Sequence, residues 1–595
     1  SVFIVQFGSA LSISTPGDGT VTTAKIADGN VTQNKLSTSA VATSNLGNTS
    51  VTTAKIANDA VTQNKIADDA VTQNKIADGA VTEVKLGVSN SPTNGYVLTA
   101  QSGNTGGLTW AAASSGVTSD GQNNTVAGTS AGDSFSGTDA NHNSLYGKNA
   151  GTAITTGDYN TAIGSEALKA TTTANSNTSV GYGSLYTNTT GASNTALGVN
   201  ALTANTTASN NTAVGFDCLQ ANTIGNGHVA IGAQALLRTT TASNNVAIGY
   251  LSAEETTTGF SNISIGAYAL QESTTVNSTV AIGYQSMQDA NTASGNVALG
   301  YQAMKANTSG GINVAVGYKT LLGNTTGSGN VAVGDRALTA NTTASNNTGI
   351  GHQALKANTT GADNTAIGAN ALDACTTGSN NVAGGGNALG AVTTGGNNTA
   401  FGKGAGDAIT TANDNTAFGS HSLGTTSTGT NNVAVGREAM FSNTTADNNT
   451  AVGRSALYAN TTGASNVAVG ANSLDANTTG VNNCAFGSYS LSAATTADGN
   501  NCFGYYSGAD ITTGEHNSSF GRESLRQTTT GAMNTALGNY ALYANTTHSY
   551  NTAVGYTTLY NNNGAEWNTA VGAEALYSNT TGYSLTAIGK GCMRS

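Results

Sequence analysis

The chain has 595 residues, 77 of them glycine and 2 proline, with 9% charged and 6% aromatic side chains and a formal net charge of −11. Glycine is about twice its usual share and charge roughly a third of the usual quarter. Scarce proline and the lack of a glycine at every third position exclude collagen, and no apolar run approaches the ~18 residues of a membrane-spanning helix. Five cysteines make no disulfide scaffold, and the acidic balance opposes a nucleic-acid partner.

The first residues, Ser1-Val2-Phe3-Ile4-Val5, carry neither a basic start nor a long apolar stretch, so no signal peptide is expected. We assign 1–20 to an attachment segment. Residues 21–88 repeat every ten residues, with Val21, Val31, Val41, Val51, Val61, Val71 and Val81 each followed five places later by Ile or Leu. Lysine precedes that second apolar residue six times in seven, from Lys25 to Lys85, and Asn45 is the substitute. This decad region is read as a fibrous shaft. A non-repeating joint follows over 89–122, in which Tyr96-Val97-Leu98-Thr99 and Leu108-Thr109-Trp110 predict short strands around a glycine-rich turn.

From 123 to 595 a second period takes over. A glycine recurs every 17 residues from Gly147 to Gly589, 27 times without a miss, with Gly128 two residues out of step before the series. The residue before it is large and apolar in 26 of 27 repeats, with Gly384 the exception. Four before it stands Asn in 24 of 27, and four after it Leu or Met in 23 of 27. Where Gly151, Gly406 and Gly508 replace that leucine, Ile154, Ile409 and Ile511 appear three residues later. A lost apolar side chain is made good nearby, as a packed interior requires.

Seventeen residues are too few for a helix pair, and β-branched residues punctuated by glycine favour strands. One period then makes one coil, with strands expected at N-T-A-V-G and at x-x-A-L and turns at N-T-T-G. The expected fold is all-β: an elongated parallel β-solenoid, or β-roll, with 17-residue coils. Both faces of the N-T-A-V-G strand lack charge, so both are expected to be covered. The interior covers one, and the other calls for further copies of the chain around a common axis.

The N-T-A-V-G-x-x-A-L repeat resembles the V-A-I-G-x-x-S/A repeats in the heads of trimeric autotransporter adhesins, which form parallel β-rolls of three chains. The decad Ala-Val-Thr-Gln-Asn-Lys-Ile-Ala-Asp-Asp (60–69) and the joint resemble shaft and linker segments of bacteriophage tail fibres. Autotransporter adhesins end in a membrane-anchoring barrel, for which no alternating strands are seen here. The combination of resemblances implies a homotrimeric tail fibre located on the virion. Its implied partners are baseplate or tail proteins and a host cell-surface glycan or protein, with no membrane insertion. It also implies that Ser595 is the terminus left after self-cleavage of an intramolecular chaperone, against the simpler reading of an arbitrary end. The alternatives are a cell-surface adhesin or filament, and an ice- or polysaccharide-binding solenoid using Thr206-Thr207, Thr342-Thr343 and Thr461-Thr462.

No catalytic constellation is expected. His142, His228, His352, His421, His516 and His548 are scattered without metal-ligand spacing, no phosphate-binding loop occurs, and no cofactor is implied. Glu254-Glu255 read as a solvated turn, and the cysteines as packing residues. Seven of the 21 tyrosines, with Trp567, crowd into 540–583. Tyr540, Tyr543, Tyr556, Tyr560, Trp567, Tyr577 and Tyr583 are the receptor-binding candidates, since such side chains offer a rigid apolar face with a polar tip. The structural alternative is that they cap the last coils.

Overall fold

The computed structural model of the protein describes residues 96–100, 108–112 and 117–595. The attachment segment 1–20 and the decad region 21–88 lie outside the described residues. In the joint, β1 (Tyr96–Ala100) pairs antiparallel with β2 (Leu108–Ala112), Tyr96 opposite Ala112 and Ala100 opposite Leu108. Both strands expected there are present.

A second compact unit begins at Ser115. It opens with β3 (Thr118–Ser119), antiparallel to β4 (Thr125–Ala127). β4 then pairs in parallel with β5 (Ser144–Tyr146), and β5 with β6 (Thr161–Ile163). The pattern continues one strand per coil up to β31 (Thr586–Ile588), which pairs with β30 (Thr569–Val571). Thr161 lies opposite Thr178, Ala162 opposite Ser179 and Ile163 opposite Val180. Residues 17 apart are therefore direct neighbours on adjacent rungs. With strands ~4.8 Å apart, the 28 strands β4 to β31 make a stack on the order of 130 Å long. No helix occurs among the described residues.

Each coil has one short strand where two were expected. The x-x-A-L segment is not extended, because its leucine adopts a left-handed backbone: φ is +51° at Leu168 and +52° at Leu355. That conformation costs an ordinary residue roughly 1–2 kcal/mol. The same turn drives the leucine side chain into the interior, where Leu168, Leu202 and Leu355 are wholly buried. Burial of a leucine is worth about 1.5–3 kcal/mol, so the inward turn wins over a second strand.

The central residue of each strand, usually Ala, faces that leucine column and is buried, as at Ala162 and Ala196. Alternation then sends its neighbours outward. The Thr or Val before it and the Val, Ile or Phe after it form two outward columns. The apolar interior runs as one cluster from Ala131 to Ile511 and a second from Leu525 to Ala587. Between them Ser507, Ser519 and Ser524 turn inward and bond to one another, Ser507 Oγ to Ser519 Oγ at 2.8 Å and Ser519 Oγ to Ser524 Oγ at 2.5 Å.

The invariant glycine has two reasons to be glycine. At Gly164 φ is +136°, and a Cβ there would sit 2.6 Å from the Gly181 carbonyl oxygen on the next coil. The asparagine four residues earlier is buried and fully used. Asn160 Nδ2 donates to the Ala174 carbonyl at 2.9 Å, and its Oδ1 accepts the Asn177 backbone N–H at 3.0 Å. A second amide ladder stands seven residues after the glycine, with Asn205 Nδ2 donating to Asn188 Oδ1 at 2.8 Å. These ladders satisfy polar groups that would otherwise be buried unpaired.

Candidate binding surface

In most coils the first, second and fifth residues after the glycine look outward while the third and fourth are buried, and near the C-terminus those outward positions become aromatic. Tyr543, Tyr560 and Tyr577 are 17 apart, so the stacking of coils lays their rings one on another. Their centroids are 4.9 and 5.2 Å apart and the interplanar angles 3° and 9°. Tyr540 lies beside this column, 6.0 Å from Tyr543, and meets Tyr556 edge-on. Five of the seven candidates thus form one strip. Trp567 stands elsewhere, five residues before its glycine, stacked on Tyr550 at 4.2 Å and 4°. Tyr583 projects from the last coil with 54% exposure. Ser595 is exposed.

Residue clustering along the chain understated this strip. Tyr489 stacks on Tyr506 at 4.8 Å, Arg526 lies over Tyr506, Arg522 over Tyr505 and Tyr540, and Arg594 over Tyr577. The signal was present in the spacing, since Arg526, Tyr543, Tyr560, Tyr577 and Arg594 are successive members of one 17-residue column. Cations over ring faces add stability, and stacked rings cover each other. Tyr560, between Tyr543 and Tyr577, and Tyr577, between Tyr560 and Arg594, therefore offer a ligand their phenolic edges and not their faces. Burial, together with the neighbouring Tyr543 and Tyr577, pushes the Tyr560 phenol up.

Other ladders run along the stack. Tyr284, Tyr301 and Tyr318 are stacked at 5.4 and 5.3 Å. On the strand face Phe486, Phe503 and Phe520 stack at 4.8 Å each. Gly384, the exception in the large apolar column, lies under Phe401, whose ring occupies the space a Cβ would need.

Glu254 and Glu255, expected at a solvated turn, line an open groove of about 780 Å³ with Gln271, Glu272, Asp289 and Asn291. Glu255, Glu272 and Asp289 occupy one column, and Glu255 pairs with Arg238 at 3.2 Å. No cluster of three metal-ligating side chains occurs among the described residues.

His228 takes an asparagine's place in the inner ladder. Its Nε2 bonds the Ala242 carbonyl at 2.8 Å and its Nδ1 accepts the Asn245 N–H at 3.3 Å, so the ring is neutral, with the proton on Nε2. Burial holds its pKa below the usual value. The thiols of Cys218 and Cys375 are pushed up by burial to about 12 and about 11, which makes them poor nucleophiles. Cys484 lies on the outward side of β25 (Cys484–Phe486), half-buried.

Neither the family models nor the curated proteins compared contain a match to this sequence.

Proposed function

We propose that the chain is a homotrimeric fibre protein, a phage tail fibre that projects from the virion and contacts the host surface. One observation carries the multi-chain part. From β5 onward the outward column is large and apolar in every strand but that of Gly384 and at least partly exposed along the stack, reaching 44% at Ile163, 46% at Leu197, 48% at Ile367, 43% at Phe401 and 49% at Leu537. A strand face about 10 Å wide and about 130 Å long presents on the order of 1,300 Å² per chain. That exceeds the ~800 Å² per partner of a stable interface, and a monomer rarely leaves so much contiguous apolar surface in water. A second copy in parallel repeats with the same rise, so it matches this face at every rung. A partner without that period matches only locally.

The attachment part follows from mechanics. A stiff stack sets reach, and three chains present weak contacts together, which multiplies their effect. The receptor candidates fall in the final coils. A cell-surface adhesin or filament would use the same rod. Gold-labelled antibody on purified particles and on source cells separates the two: label on tail structures, with fibre blocking adsorption, supports the reading, and label confined to cell surfaces overturns it.

A second reading has its own observation. The first threonine of each Thr-Thr pair is half-buried and bonds to the next coil, Thr206 Oγ1 to the Thr223 carbonyl at 3.0 Å. The second, at Thr207, Thr343 and Thr462, points outward on each rung. Such a hydroxyl row suits an ice- or polysaccharide-binding surface. A thermal-hysteresis measurement tests the ice form, and its absence at fibre concentrations that saturate adsorption removes it.

A further inference from the structure

The position five residues before each glycine has a left-handed backbone throughout the stack. Small turn-forming residues suit it, and Ser, Asn, Asp or Gly occupy it in most coils, as at Ser176, Asn210, Gly227 and Asp363. Bulky side chains are disfavoured there. Yet in three consecutive coils it holds Met533, Tyr550 and Trp567, with φ of +58°, +62° and +66°. None of the three is buried in return: they are 47%, 44% and 56% exposed. Apart from the Tyr550–Trp567 stack, these strained seats hold large groups left half-exposed, and such strain is a mark of binding surfaces.

The ridge has an open end. Trp567 rests on Tyr550, which covers one face of the indole. The next residue in the column is Ser584, too small to cover the other face. The exposed Tyr583 and Ser584 border it with hydroxyls, while the Glu566 carboxylate reaches back to the preceding coil, where its Oε1 accepts the Ser549 N–H at 3.3 Å. A free aromatic face beside hydroxyls matches a ligand with an apolar C–H face and a rim of hydroxyls. A hexose ring has that shape.

We infer that Met533, Tyr550 and Trp567 form a saccharide-binding ridge, with the free face of Trp567 as the stacking platform for a neutral hexose. The inference rests on the host-contact reading above and narrows its ligand to carbohydrate. It also shifts the weight of recognition from the self-stacked Tyr543, Tyr560 and Tyr577 to Trp567.

Trp110 and Trp567 are the chain's two tryptophans, so the full chain carrying Trp110→Phe reports Trp567 emission alone. Cellohexaose, maltohexaose and chitohexaose are the probes. The expected result is a saturable emission shift with at least one of them, and at least a twofold fall in acrylamide quenching. Ser584→Tyr, which covers the open face, abolishes that response while Trp567 still emits. Emission unchanged by all three sugars overturns the inference. So does an indole already shielded from acrylamide in the sugar-free fibre, which would mean that another copy of the chain covers it. Antibody localisation is independent of this titration, so either conclusion can fail without the other.

Discussion

The Ile409 side chain fills the space that Gly406 leaves vacant: a Cβ on Gly406 would lie 3.0 Å from Ile409 Cδ1 and 2.9 Å from Leu389 Cδ2. In its own coil Ile409 replaces a residue of the second amide ladder, so one coil exchanges an inward leucine and a buried asparagine for glycine and isoleucine. Gly406 also relieves the left-handed strain, with φ of +60°.

Removing Ile409 should therefore open a cavity that no neighbour fills. Ile409→Ala is expected to cost about 2–4 kcal/mol. The double replacement Gly406→Leu with Ile409→Asn restores the commoner pair and should recover most of that loss. Hydrogen exchange across 389–423 measures both, because a stack of this kind opens locally. Equal exchange in Ile409→Ala and the parent chain contradicts the packing.

Protonation acts on the stack in two opposite directions. His228 must stay neutral, since its Nδ1 accepts a backbone N–H, and its folded-state pKa lies below the unfolded value. Its contribution is complete above about pH 6.5 and is lost as the pH falls below that value. At pH 5, exchange over 211–245 should be faster in the parent than in His228→Asn, and at pH 7.5 the two should agree. Asp475 is the reverse case, its carboxyl pushed up by burial to about 6 from 3.8. The folded state binds that proton more tightly, so a penalty absent below about pH 4 is complete above about pH 6. Asp475→Asn should stabilise its coil at pH 7.5 by about 1 kcal/mol, discounted for partial exposure, and change nothing at pH 4.

The serine trio interrupts the apolar interior. Replacing Ser507, Ser519 and Ser524 together by alanine removes all three mutually bonded hydroxyls and leaves no orphan donor. Removing such partners together is near neutral or favourable. The triple variant should open less readily over 504–524, by on the order of 1 kcal/mol, and Ser519→Ala alone should gain less. Faster exchange in the triple variant would show that the hydroxyls hold the two clusters together.

Much of this was legible in the sequence because period alone determines which residues are neighbours. The Asn and Gly columns, the rung pairing and the exchange of Leu for Ile at Gly406 and Ile409 follow from counting seventeen. What counting leaves open is sign. Alternation separates Ala162 from Ile163 but does not say which one faces inward, and the smaller is inside because the leucine column already fills the interior. The missing second strand was hidden because Leu168 takes a backbone conformation that leucine seldom adopts. Clustering along the chain joined Trp567 to Tyr560, whereas their columns place them on different turns.

The central claim is that the outward apolar strand face is covered by further copies of the chain. Sedimentation equilibrium at sub-micromolar concentration, read together with maleimide labelling of Cys484 on that face, tests it most directly. The account predicts a mass three times the 58.8 kDa of one chain, with Cys484 unreactive until the assembly is dissociated. A stable species of single-chain mass whose Cys484 labels at once would contradict it.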